Sequence, residues 1–142
     1  MQQFNVDNLL DKFMSEPETL ARKYGFRIST VGKTKRVNTA PSVIHFAGGE
    51  FIGSFIYGDD KLRRIFLFPI IENVEEPNYP CEEYQKIKQQ YCIEKLKSLY
   101  GDNYSLVEGG MQWETDTYFI GSYAMTHGKE KFTDGNITIT IR

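Results

Sequence analysis

The chain has 142 residues, of which 40% are hydrophobic and 14% aromatic, and it carries a formal net charge of −2. That length predicts one domain, residues 1–142, with a core of its own, and the aromatic content excludes a disordered chain. Charge so close to neutral argues against nucleic acid as the partner, and no apolar run approaches the ~20 residues a membrane-spanning helix needs.

The first elements are helical. Val6, Leu9, Leu10, Phe13 and Met14 fall at the spacing of one helix face, with Asn5 as a cap. Pro17 interrupts this run. Ser15 with Glu18 three residues on resembles a capping box that restarts a short helix to Tyr24, and Gly25 stops it. The N-terminus lacks the basic and apolar regions of a signal peptide, so the expected location is cytoplasmic.

From Phe26 the pattern changes to strand. Phe26 to Thr30 predicts a strand, and Gly32 to Asn38 a polar, basic connection. Ser42 to Ala47, Phe51 to Tyr57 and Leu62 to Phe68 then predict a three-strand meander, with turns at Gly48-Gly49-Glu50 and Gly58-Asp59-Asp60-Lys61. Pro69 should end the third strand or place it on an edge. The acidic, proline-bearing stretch Glu72 to Pro80 is a loop.

The strongest helix signal runs from about Pro80 to Tyr100, with Tyr84, Ile87, Tyr91, Cys92, Leu96 and Leu99 along one stripe and Gly101 closing it. Cys81 and Cys92 on that helix would stand roughly 16 Å apart at 1.5 Å per residue, too far for a disulfide. Trp113 opens or precedes the final strands. Tyr118 to Met125 pairs with a strand in which Ile137, Ile139 and Ile141 alternate with Thr138, Thr140 and Arg142, and Asp134-Gly135 supplies the hairpin turn. The order helix, strands, long helix, strands, with tight turns joining the strands, gives an α+β fold: one antiparallel sheet packed on one face by an N-terminal helical segment and the helix near residues 80–100.

Fragments of catalytic motifs do not add up to chemistry. Gly32-Lys33-Thr34 ends like a phosphate-binding loop, but Arg27 stands where its first glycine belongs. Gly48-Gly49-Glu50-Phe51 spells the four-letter signature of diguanylate cyclases without the acidic pair that would precede it, and reads as a hairpin turn. No nucleophile elbow is present, and the only two histidines, His45 and His127, read as a strand residue and a turn residue. Cys81 and Cys92 lack zinc spacing. The expectation is therefore no catalytic residue, no metal and no cofactor.

Two features suggest binding. Lys35-Arg36 and Arg63-Arg64 make basic pairs, which read either as charges guarding a sheet edge or as an anion-contacting surface. Strand alternation sends Arg63 and Arg64 to opposite faces. Trp113, beside a polar turn, is the aromatic residue best suited to a partner contact. The leading expectation is a non-catalytic binding or protein-interaction module that uses Trp113, Arg63, Arg64, Lys35 and Arg36 against a protein partner. The rival is an enzyme or small-molecule binder with a pocket between the long helix and the sheet, lined by Cys92, His45 and tyrosines.

Overall fold

The computed structural model describes residues 16–72, 74–75, 77, 82–123 and 135–142. The helix predicted over Val6 to Met14, the turn residue His127 and Cys81 lie outside the described residues. Pro17 occupies the first helical position, where its missing N–H is no loss, and so begins α1 (Pro17–Tyr24) with Glu16 as its N-cap. Gly25 ends α1 in the left-handed conformation, φ 71°, its N–H donating to the Ala21 carbonyl.

The strands that follow are β1 (Arg27–Val31), β2 (Thr34–Asn38), β3 (Ile44–Phe46), β4 (Gly49–Gly58) and β5 (Lys61–Ile70). The stretch expected to be a connection is thus largely β2. Four of its five residues are polar, and only Val37 is buried, so the strand owes its existence to pairing with β1 and β4 on either side. Ala47 and Gly48, at φ 51° and 79°, make the turn between β3 and β4. Positive φ at both central positions suits a two-residue hairpin, and Gly49 and Glu50 already belong to β4.

Further along the chain come α2 (Glu82–Tyr100), β6 (Ser105–Val107), β7 (Gly110–Glu114), β8 (Tyr118–Tyr123) and β9 (Ile137–Ile141). Among the described residues, nine strands form one sheet in the order β1-β2-β4-β5-β9-β8-β7-β6, with β3 also paired to β4. All these pairings are antiparallel. The isoleucine-rich β9 is interior, held between β5 and β8. Pro69 sits inside β5, opposite Phe51, but past Leu67, the last β5 residue that β9 reaches. Among the described residues β5 has no second neighbour there, and such a position suits a residue without an N–H.

One row of in-register side chains crosses the sheet: Val37, Phe55, Ile65, Ile139, Ile120 and Trp113. All are buried, in the same cluster as Leu20 of α1 and Cys92 and Leu96 of α2, so both helices cover this side. The architecture is the predicted α+β sheet packed on one face by helices. The helical stripe is narrower than its spacing suggests, because Ile87 and Leu99 remain exposed and only Cys92 and Leu96 are fully buried. On the opposite face, left open by the two described helices, the neighbouring row reads Arg36, Ile56, Arg64, Thr140, Phe119 and Glu114, none of them fully buried.

Candidate functional site

A one-residue irregularity in β5 creates the site. Ile56 faces Arg64 and Tyr57 faces Leu62, so Arg63 is an extra residue with no partner on β4. Such a bulge puts its two residues on the same side of the sheet and resets the alternation beyond it. Leu62 and Ile65, three positions apart, are consequently both buried, whereas Arg63 and Arg64 are both exposed. The expectation that the two arginines point to opposite faces is overturned: a strand with an insertion no longer alternates. The sequence does carry the signal, since apolar residues stand at Leu62, Ile65 and Leu67 and change parity at the arginine pair.

Arg36 completes the arrangement from β2. It opposes Ile56 on one side as Arg64 does on the other. Arg36, Ile56, Arg63, Arg64, Phe66 and Thr140, with Ile141, line a shallow cleft of about 460 Å³ on the open face. The Arg64 guanidinium lies 6.0 Å from the centre of the Phe66 ring, and the Arg63 stem runs past Gly58, where a Cβ would touch its Cγ at 3.4 Å. Ile56, Phe66 and Thr140 are the members of the site that sequence reading did not single out, because their place in it comes from register across three strands.

Among the described residues, nothing neutralises the charge of the cleft. Among the described residues, the ion pairs involve Lys35, Lys86 and Arg142, and none of the three cleft arginines has a carboxylate partner. Arg142, two residues beyond Thr140, shows the contrast. Its Nη1 lies 2.8 Å from Glu114 Oε1 and donates to the Thr115 carbonyl at 2.9 Å, while the guanidinium sits over the Phe119 ring. Near the cleft, Tyr123 donates from its hydroxyl to Gln112 Oε1 at 2.7 Å. Burial pushes the Tyr123 phenol up from its ordinary value, and the charge of Arg64 opposes that rise.

Lys35 does not join this group. Adjacent to Arg36 in β2, it points to the helix-covered side, where its ammonium pairs with Glu18 of α1 and, at 2.8 Å, with Asp60 in the β4–β5 turn. The hydrogen bonds that Lys35 donates, first to Asp60 and then to Glu18, raise the lysine above its ordinary range, and the same bond to Glu18 lowers that carboxyl. Lys35 is thus a clamp between α1 and the turn, and not an anion contact.

Trp113 is likewise a structural residue. It is only 3% exposed, on the core side of β7. Its Nε1 donates to the Gly101 carbonyl at 3.0 Å, and its ring lies between Tyr100 and Tyr104, with centroids at 6.3 and 5.5 Å. The indole closes the end of α2 onto the sheet. It shares no surface with Arg63 and Arg64, because the sheet stands between them.

The residues proposed for a pocket beneath the long helix are also separated. Cys92 is a free, fully buried thiol, and burial pushes its pKa up to about 12. His45 lies between buried Ile44 and Phe46 on β3, so alternation turns it away from the core that holds Cys92. No thiol–imidazole pair forms across the sheet. A thiol held protonated is a poor nucleophile. Iodoacetamide treatment of the native protein should leave the Cys92 peptide unmodified by mass spectrometry, and denaturation should make it react fully; rapid native labelling would contradict the packing described. Among the described residues, no three His, Cys, Asp or Glu side chains converge as metal ligands, and no helix is long and apolar enough to cross a membrane.

No family model matches the chain, and no curated protein matches it significantly. Among solved structures, the chain is similar to an extracellular protein containing a SCP domain from Bacillus anthracis str. Ames, at 12% identity and a TM-score of 0.45. That likeness covers 93% of this chain and 45% of the other, so the chain spans less than half the length of its structural neighbour.

Proposed function

We propose that this protein is a non-catalytic interaction module whose open sheet face receives an acidic segment of a partner protein at the cleft formed by Arg36, Arg63 and Arg64. The observation that carries this reading is the bulge in β5, which places two adjacent guanidinium groups beside a third on one face with no carboxylate among the described residues to balance them. Like charges side by side repel, and an anion bound between them relieves that repulsion. Ile56 and Phe66 add apolar surface on which the carbon stem of an acidic side chain can rest. A cytoplasmic setting belongs to the same proposal, in keeping with the free thiol of Cys92.

Fluorescence anisotropy with a labelled, extended Glu- and Asp-rich peptide tests the reading. Binding should weaken steadily as salt rises through the physiological range, because the charges are exposed and screened. The triple variant R36Q/R63Q/R64Q should lose about tenfold or more in affinity while keeping its thermal midpoint, since all three side chains are exposed. Binding that survives the triple substitution, or no binding by the unaltered protein, would remove the proposal.

A further inference from the structure

We infer that the acidic group this cleft takes is a phosphorylated side chain of the partner protein, in preference to a carboxylate. This rests on the function proposed above and narrows its ligand. Arg36 and Arg64 stand one strand to either side of Ile56, which sets their Cα atoms roughly 10 Å apart at the ordinary strand spacing. Two arginine side chains that flank Ile56 on the same face are long enough for both to reach a group seated over it. A carboxylate has two oxygens and a single charge, which one arginine fork satisfies bidentately.

The cleft offers more than that. Arg63, the inserted residue of the bulge, brings a third fork to the same side, and Thr140, in register with Arg64, adds an uncharged hydroxyl donor. Three cations and a hydroxyl exceed the needs of a carboxylate. They match a phosphoryl group, which has three strong acceptor oxygens and a charge of about −1.5 to −2 at neutral pH. The exposed guanidinium of Arg63 makes no ion pair among the described residues, so no structural partner accounts for its placement.

The test uses the full chain and one peptide sequence in three forms, with serine, glutamate or phosphoserine at the central position, measured by anisotropy at physiological salt. The phosphoserine peptide should bind about tenfold or more tightly than the glutamate peptide, a difference of about 1.4 kcal/mol. Arg63→Gln should weaken both anionic peptides, but the phosphoserine form about tenfold more than the glutamate form, so that the ratio is erased, because Arg36 and Arg64 still serve a carboxylate. Arg142→Gln, on the same face but already paired with Glu114, should leave the ratio unchanged. Equal affinity for the glutamate and phosphoserine forms, or a ratio that persists in Arg63→Gln, overturns the inference while the acidic-segment reading stands. Failure of both anionic peptides to bind removes that reading as well. Anionic phospholipid vesicles provide the last arm: binding to them in preference to the phosphopeptide would assign the cleft to a lipid surface and overturn the inference.

Discussion

Phe55→Ala should lower the free energy of unfolding by about 4 kcal/mol, the range found for removing a large aromatic ring from a packed interior. Phe55 is fully buried on the helix-covered side of β4, in register with Val37 on one neighbouring strand and Ile65 on the other. It occupies the row that continues through Ile139 and Ile120 to Trp113, so the void would open within the main hydrophobic layer. Domains of this size are held together by only about 5–15 kcal/mol, so the variant should sit near the edge of stability at 37 °C. Urea unfolding provides the measurement: the midpoint should fall with the slope unchanged. Phe119→Ala, on the half-buried open face, is the matched comparison and should cost far less. Equal losses for the two rings would mean that both faces are covered alike, and the one-sided architecture would fall.

Gly135→Ala should destabilise the protein by about 3 kcal/mol, at the upper end of the usual cost of overpacking. A Cβ built there would lie 2.4 Å from Lys88 Cβ, 2.6 Å from the Gln85 carbonyl oxygen and 2.9 Å from the Gln89 nitrogen. Two of those three atoms are helix backbone, which cannot swing aside as a side-chain tip would. The contact is also bonded: the Gly135 N–H donates to Gln85 Oε1 at 3.0 Å, and the Cys92 thiol points at the Gly135 carbonyl from 3.9 Å. Adding one methyl group must therefore lift α2 from the strand it covers and loosen Cys92 and Leu96 behind it. Differential scanning calorimetry should show a clear drop in the melting temperature, and Cys92 should become reactive to iodoacetamide in the native state. A variant as stable as the parent would show that the helix does not lie on this backbone.

Gly135 also shows what sequence reading could and could not reach. The pair Asp134-Gly135 suggests a turn that needs positive φ, yet Gly135 does not adopt one, and Asp134 lies outside the described residues. What demands glycine is a helix from 50 positions earlier in the chain, as its bond to Gln85 shows. Local pattern cannot reveal such a neighbour. Where the burial signal is local, the reading holds. Ile137 and Ile139 are fully buried, β9 pairs with β8, and the β3–β4–β5 meander and α2 lie close to their predicted positions. The reading misses the polar β2, which is held by β4 as well as by β1, and the short β6, a three-residue hairpin arm whose Leu106 remains exposed and so leaves no buried stripe to read.

The basic residues divide along the same line. Sequence alone picks out Lys35, Arg36, Arg63 and Arg64 as notable, and three of them meet in one cleft. It cannot tell that Lys35 is consumed by Glu18 and Asp60, because those partners lie 17 and 25 positions away. Trp113 is misread for a related reason. Its polar flank suggests a surface position, whereas the carbonyl that its indole N–H satisfies is at the end of α2.

The single unpaired position in β5 separates two properties that strands ordinarily tie together. In an unbroken ribbon, lengthening by one amino acid would invert everything downstream, exposing oil and hiding charge. Here the extra unit is absorbed where it stands, and the greasy half of the strand beyond it keeps its orientation. The outward charge of this molecule can thus be rewritten by gain or loss of one codon, with its interior left as it was.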